Sequence, residues 1–591
     1  MITNRLQALR NELKLRSIDA IIITGNDPHF SEYPANRWKY RKWISGFSGT
    51  AGTLTITQTD AALWVDSRYF IQAREQLKNT GIEMRKFCSE LPYIEWLKSH
   101  LDKGAKIGVD AGLVSVNIFK TLQLMLNPLL VEDIGDVFDK IYPDRPALPE
   151  TPVFILPDEL TGKSRAQKLS EFIAASIPNG EMYIVSVLDE IAWMLNIRAS
   201  DIKCCPLAIS CLIIEHGKTR FFISESRISK SDRQSLENDG ITILPYCDFF
   251  TCLANIPKNK IVKLDFNKTS YLIYKSLQDR GIQIIEEKDT VQSIAMKKAV
   301  KNGVELAGFR DCMIADGVAM LRFIKWMNEN AGKICITETQ AAQKLEEYRS
   351  QGKNYIGLSF NTISAYGANA ALPHYSPHSG ADAIIKTDTF YLVDSGAQYL
   401  TGTTDITRTL HFGIPSDEEK EDYTLVLKGL IDLSMAVFPE NTRGSQLDIL
   451  ARNALWKKGK NFLHGTGHGV GHFLNVHEGP HSIRCEENPV ALTCGMITSI
   501  EPAIYIEGKY GIRTENLVAC MFDKTTAFGS FNSFETLTLC PIDLRPIDVS
   551  LMNTDEINWL NNYHQRVYQS LSPYLDNEEN EYLKKLTCRL S

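Results

Sequence analysis

The sequence predicts an α/β (α+β) protein in which two related N-terminal α/β domains precede a larger C-terminal domain that carries the chemistry. Three observations point there. A strand–helix pattern in the first part of the chain recurs about 155–160 residues later, a proline-rich segment separates the copies, and from about residue 297 the pattern changes character.

In the first copy, leucines at 6, 9 and 13 share one helical face, and the apolar run 18–24 reads as a strand. The turn GTAG (49–52) leads into paired strands at 53–56 and 61–65, then a helix over about 70–79. LWVDSR (63–68) returns as FISESR (222–227), and KIGVD (106–110) returns as IVKLD (261–265). With IYPDRPALPETPVFILP (141–157) as linker, the expected domains are 1–157, 158–296 and 297–591, the last ending in a helical extension. Neither copy holds an obvious catalytic constellation. His29 and Glu32 read as isolated loop or contact residues, and Asp189 and Glu190 as acids at a helix N-terminus, where the dipole favours them.

The third region opens with helices expected over 297–329 and 337–351. The apolar run FYLVD (390–394) then ends on a carboxylate, and DITRTLHF (405–412) alternates so that Asp405, Thr407 and Thr409 share a face. Ser416 with Glu419 forms a capping box, and Ser445 with Asp448 is expected to cap a helix reaching 459. A strand over 496–500 ends on Glu501. Residues 511–516 read as one more strand, with Arg513 and Glu515 on the same face.

Composition narrows the function classes. Hydrophobic content of 44% and charged content of 23% over 591 residues describe a soluble globular protein. A net charge of −7 and the lack of a basic block with interleaved aromatics argue against nucleic acid as a partner. No apolar run reaches the roughly 18 residues that a membrane span needs. The N-terminus MITNRLQALRNELKLR is an amphipathic helix pattern and not a signal peptide. Thirteen cysteines without a C-x-x-C pair fit a reducing compartment, so the expected location is cytoplasmic.

The densest signal is HGTGHGVGHFLNVHEGPH (464–481). It holds five of the twelve histidines: His464, His468, His472, His477 and His481. Histidine is the common neutral metal ligand and proton carrier, and interleaved glycine lets a backbone approach a metal or substrate closely. The i, i+4 spacing of His464, His468 and His472 would suit a helical zinc pair, but glycine fills the gaps and no glutamate follows the first histidine. A non-helical site is the better reading. Asp394, Asp405, His468, Glu501 and Glu515 together give four carboxylates and an imidazole, the donor count for two divalent metals with bridging carboxylates. Hard oxygen donors favour manganese, with zinc or cobalt as alternatives.

These motifs resemble those of the metal-dependent aminopeptidase P group in the pita-bread peptidase family. The resemblance runs from GFSGTAG (46–52) and WVDSRYF (64–70) through LDEIAW (188–193) and LVDSGAQYLTGTTDITRT (392–409). It continues with HGTGHGVG (464–471), FLNVHEGP (473–480) and GIRTEN (511–516), and reaches WLNNYH (559–564). It implies two creatinase-like N-terminal domains, a pita-bread catalytic domain and hydrolysis of the N-terminal Xaa-Pro bond of peptides. By resemblance Asp394 binds one metal, His468 and Glu501 bind the other, and Asp405 and Glu515 bridge. The resemblance also makes Glu501 the general base, His374 a substrate-binding histidine, and His477 the contact to the scissile carbonyl. His464 and Tyr505 then help form the proline pocket, and Arg513 stands beside the metal carboxylates.

The chemistry agrees: amide hydrolysis needs a nucleophile active at neutral pH, a positive centre for the oxyanion and a proton donor to nitrogen. The Xaa-Pro bond is a tertiary amide without an N–H, so a dedicated pocket has a purpose. The alternatives are a prolidase acting on Xaa-Pro dipeptides and an inactive pita-bread module that binds peptides. The chain's length and N-terminal match favour the aminopeptidase over the first, and the complete ligand set favours it over the second. The resemblance further implies a homodimer, with Trp456 and the helix pattern at 554–571 as candidate interface elements. One position departs from the family pattern: Ala503 stands where glycine follows Glu-Pro, and a left-handed backbone there would cost about 1 kcal/mol and displace Tyr505. His472, His378 and His411 read as structural or surface histidines, and His481 has no assigned role.

Overall fold

The computed structural model describes residues 2–87, 91–178, 180–288, 291–377 and 382–591. Its contacts divide into two units, Met1–Pro157 with Lys163–Ile294, and Asp158–Gly162 with Ala295–Ser591.

The first unit contains two six-stranded sheets of the same design. In the first, the strands run in the order Glu83–Lys86, Ala61–Val65, Thr53–Thr57, Ala20–Ile23, Lys106–Val109 and Leu130–Asp133. In the second the order is Ile241–Leu244, Lys218–Phe222, Cys211–Glu215, Glu181–Val185, Ile261–Leu264 and Gln283–Glu286. Each central strand pairs antiparallel on one side and parallel on the other, and the remaining pairings match as well. The recurring motifs of the sequence therefore sit at equivalent places in two copies of one topology. Leucines 6, 9 and 13 of helix Ile2–Leu15 are buried, as their spacing predicts. His29 is not a surface residue. It is 1% exposed, with Nδ1 at 2.7 Å from Ser186 O and Nε2 at 2.9 Å from Tyr246 OH. Asp189 and Glu190 lie in the first turn of helix Leu188–Leu195, and Glu190 also pairs with Lys268 at 2.6 Å.

The second unit wraps helices around antiparallel sheets. A six-stranded sheet runs Val437–Pro439, Gly529–Thr536, Asn516–Thr526, Ile497–Ile500, Gly467–Gly469 and Glu478–Ile483. A three-stranded sheet is centred on Phe390–Ser395, between Ile363–Tyr366 and Ile406–His411. Helices Asp417–Ser434 and Thr554–Leu571 supply Leu430, Ile431, Leu560 and Val567 to a core that includes Ile497, Ile500 and Leu517. Fully burying each such side chain contributes roughly 1.5–3 kcal/mol. The apolar face of Thr554–Leu571 is thus spent inside the unit.

Three local expectations change. The helix expected over 297–329 is interrupted: Ile294–Ala299 ends, Val300 bridges Met496, and Asn302 caps a new helix Gly303–Asn330 in a capping box with Glu305. The helix expected from Ser445 to 459 is Gly444–Trp456, with Arg443 at its N-cap and Gln446 accepting from Arg443 N at 2.8 Å. Asp448 is withdrawn from capping because it pairs with Arg452 at 2.6 Å and accepts from Thr466 Oγ1 at 2.5 Å. The strand expected over 511–516 is two strands, Tyr510–Arg513 and Asn516–Thr526, with Glu515 in the break. The Ser416–Glu419 capping box forms as predicted.

Candidate metal centre

Sheet register brings the acids together. Asp394 lies on Phe390–Ser395 directly opposite Thr407 of the neighbouring strand, and Asp405 stands one residue before that strand begins. Glu515 N donates to Thr407 O at 3.1 Å, which draws the break between the two later strands against the same point. Glu501 N donates to Thr466 O at 2.8 Å, and His468 N donates to Ser499 Oγ at 3.0 Å, so the histidine strand and the end of Ile497–Ile500 are tied side by side.

The side chains converge into three overlapping donor groups: Asp394 with Asp405 and Glu515, His468 with Glu501 and Glu515, and Asp405 with His468 and His477. Within each group the ligand atoms lie within 4.8 Å of one another. His468 Nδ1–H donates to Gly469 O at 2.9 Å, which orients the ring so that Nε2 faces the cluster. That Nε2 is 3.3 Å from Asp405 Oδ2 and 3.7 Å from Glu501 Oε1. Both His468 and Glu501 keep about a fifth of their side chains open, so the cluster has a mouth.

The electrostatics call for cations. Four carboxylates meet a single guanidinium, that of Arg513, whose Nη2 donates to Asp394 Oδ2 at 2.5 Å. Asp394 Oδ1 is buried and has no hydrogen-bond partner among the described residues. Burial, then the neighbouring acids, push Glu501 up to about 7 and Glu515 well above the carboxylate range. Burial raises Asp394 too, against the opposing pull of Arg513. For His468 burial acts downward, but Asp405 and Glu501 outweigh it and hold the imidazole near 9. An imidazole that keeps its extra proton among acids that repel one another marks a donor set short of positive charge, and a cation would displace that proton from Nε2. Two divalent ions fit the set, and Asp405, His468 and Glu515 each belong to two of the three groups.

A chain of hydrogen bonds leads outward. Arg513 Nη1 donates to Tyr505 OH at 2.6 Å, and Tyr505 OH lies 2.8 Å from His464 Nε2. The rings of His468 and His477 meet edge to face, with centroids 4.3 Å apart. His374 is half-buried in the segment after the short helix Gly367–Ala371 and belongs to none of the three donor groups. Ala503 begins the strand Ala503–Ile506 opposite Arg513, outside the left-handed region, so the anticipated strain is absent. His472 and His411 are buried, His481 is buried and donates Nε2–H to Ile497 O at 2.8 Å, and His378 lies outside the described residues.

Two residues escape a reading of sequence alone. Thr407 Oγ1 donates to Glu515 Oε2 at 2.7 Å and accepts from Arg513 Nε at 3.1 Å, so it joins the two residues that the split strand separates. Arg408, on the opposite face of the strand, is fully buried. Its Nη1 donates to Glu515 O at 2.6 Å, and its Nη2 donates to Asn516 Oδ1, Cys540 O and Tyr563 OH, each at 2.9 Å. The strand alternation of DITRT was the available signal, but not the partners.

Comparison with known proteins places this geometry. The model of metallopeptidase family M24 matches residues 307–521, and its C-terminal region matches 530–590. Creatinase/prolidase N-terminal domain models match 5–141 and 144–305. Xaa-Pro aminopeptidase 1 of Dictyostelium discoideum is 38% identical, over 98% of this chain and 95% of its own length. Probable Xaa-Pro aminopeptidase P of Coprinopsis cinerea is 39% identical, over 99% and 98%. The crystal structure of X-prolyl aminopeptidase from Caenorhabditis elegans, described as a cytosolic enzyme with a di-nuclear active site, superposes with a TM-score of 0.94 at 34% identity, covering 100% of both chains. The chain belongs to metallopeptidase family M24 and groups, over its full length, with that family's Xaa-Pro aminopeptidases.

Proposed function

We propose that the chain is a dinuclear metallo-aminopeptidase that removes the first residue of peptides whose second residue is proline. The observation that carries this reading is the meeting of Asp394, Asp405, His468, Glu501 and Glu515, from five separate segments, in overlapping donor groups. Full-length similarity to Xaa-Pro aminopeptidases, both N-terminal sheets included, supports it. In this reading Asp394 serves one ion, His468 and Glu501 the other, and Asp405 and Glu515 both. Four carboxylates against one imidazole favour manganese. When bound, such a pair would lower the pKa of a water toward neutral and polarise the scissile carbonyl.

The protein's own groups do the rest. Glu501 takes the proton of the attacking water and passes it to the departing prolyl nitrogen. His477 stabilises the carbonyl oxygen as it gains charge, and His374 binds the substrate. His464 and Tyr505 form part of the proline pocket, where a tertiary amide presents no N–H to be satisfied. Arg513 orients Asp394 and Tyr505 together. We further read the chain as three domains, 1–157, 158–296 and 297–591, and as a cytoplasmic homodimer. The repeated sheet topology, the free cysteines among the described residues and the half-exposed Trp456 support that reading.

The test is metal removal. Arg-Pro-Pro should be cleaved to arginine and Pro-Pro, activity should vanish on chelation and return with manganese, and titration should find two ions per chain. Cleavage of Gly-Pro alone would make the protein a prolidase, and cleavage of neither would make it a binding module. Activity indifferent to chelation would overturn the metal assignment.

A further inference from the structure

The histidine stretch carries one more charged group, and it leads into a buried cluster beside the donor groups. Glu478 directly follows His477 and is 2% exposed. Its Oε1 lies 2.6 Å from Lys301 Nζ and its Oε2 lies 2.5 Å from Lys298 Nζ, with all three side chains at 0–2% exposure. Lys301 Nζ also donates to Lys298 O at 2.9 Å. Two ammonium groups thus meet one carboxylate with all three sealed from water. Burying such groups is costly, and a methionine or leucine would fill the same space at less expense in stability. A role for the charges themselves explains them better than packing does.

Both sides of the cluster are anchored. The lysines sit where the expected long helix is interrupted, and that segment is fixed by Lys301 N donating to Gly495 O at 2.9 Å and by the bridge from Val300 to Met496. Asn302 Nδ2 holds it again through Thr161 O at 2.8 Å. On the other side, Glu478 pairs in register with Gly469, the neighbour of His468. The glycines make the room: a Cβ at Gly471 would meet Glu478 Oε2 at 2.7 Å, and one at Gly469 would strike Glu478 O and the His481 ring. His477 and His468 are thus each one residue away from a backbone that the lysine pair holds through Glu478.

We propose that Lys298 and Lys301 are positioning residues whose joint grip on Glu478 sets the His477 ring against His468. The proposal rests on the aminopeptidase reading, in which His477 acts on the scissile carbonyl. Removing one lysine leaves a neutral one-to-one pair that is no longer held from two directions. The penalty falls on transition-state stabilisation and little on substrate binding.

The test uses Lys298→Met and Lys301→Met in the full chain loaded with manganese. For each, kcat on Arg-Pro-Pro falls about 10–100-fold while KM stays within about threefold. Ion stoichiometry and melting temperature stay near those of the parent. In the metal-free chain labelled with ¹⁵N-histidine, the His477 resonances shift. Parental kcat with unmoved His477 resonances overturns the proposal. So does loss of the fold or of metal in both variants, since the lysines would then be general supports. A parent chain inactive on Arg-Pro-Pro would sink the aminopeptidase reading instead, and the resonance shifts would still decide the clamp.

Discussion

At the scale of single residues, two acids of the centre were legible because each ends an apolar run, Asp394 in FYLVD and Glu501 after the strand before it, while Asp405 and Glu515 were marked by strand alternation. Their supports were not, because a threonine in a strand looks like any other until its partner is known, and Glu515 lies 108 positions from Thr407. Thr407→Val removes the hydroxyl that joins Glu515 to Arg513 while keeping the shape. It should weaken metal affinity about 10–100-fold, read by competition with a chelating dye, with little change in melting temperature of the metal-free chain. Ala503 makes the opposite case. Since it lies in a strand outside the left-handed region, Ala503→Gly should bring no gain in kcat/KM and should lower stability by about 0.5–1 kcal/mol in a urea titration.

At the scale of elements, periodicity found the strands and helices but not where long-range pairing cuts them. KKAVKNG (297–303) carries no strong breaker before Gly303, yet the bridge from Val300 to Met496 and the Asn302 cap break the helix there. The strand over 511–516 was split for a similar reason, Glu515 N being claimed by Thr407 O. The C-terminal helix Thr554–Leu571 reads in the sequence as a candidate interface element. In the fold it reaches the strand Ile406–His411 through Tyr563, whose OH accepts from Arg408 Nη2 and donates to Cys540 O at 2.8 Å. Tyr563→Phe strips one acceptor from a buried guanidinium. Unfolding in urea should show a loss of about 1–3 kcal/mol, with the slope of the transition unchanged.

At the scale of the whole molecule, the duplicated sheets were visible as a motif echo, while their shared strand order was not, since pairing depends on contacts that no local pattern encodes. Acid stability is a property of the same scale. Burial holds His481 at about 4 and His564 at about 3, each aided by nearby cations, against about 6.5 when unfolded. At these two histidines the unfolded chain therefore binds more protons than the folded one between pH 6.5 and 4, so their contribution to stability falls as pH drops through that window and is level above about 7. Each histidine contributes on the order of 2–3 kcal/mol to the loss. His564→Gln keeps an acceptor for Ile542 N, and metal-free melting curves should show a flatter acid limb for it than for the parent. A last consequence comes from the short helix Asp158–Thr161 and Gly162, which belong to the C-terminal unit although both neighbouring stretches belong to the other. The polypeptide is stitched: it enters the C-terminal unit, leaves and returns. No single cut can free that unit intact, and a fragment begun at residue 295 would lose the carbonyl of Thr161 on which Asn302 leans.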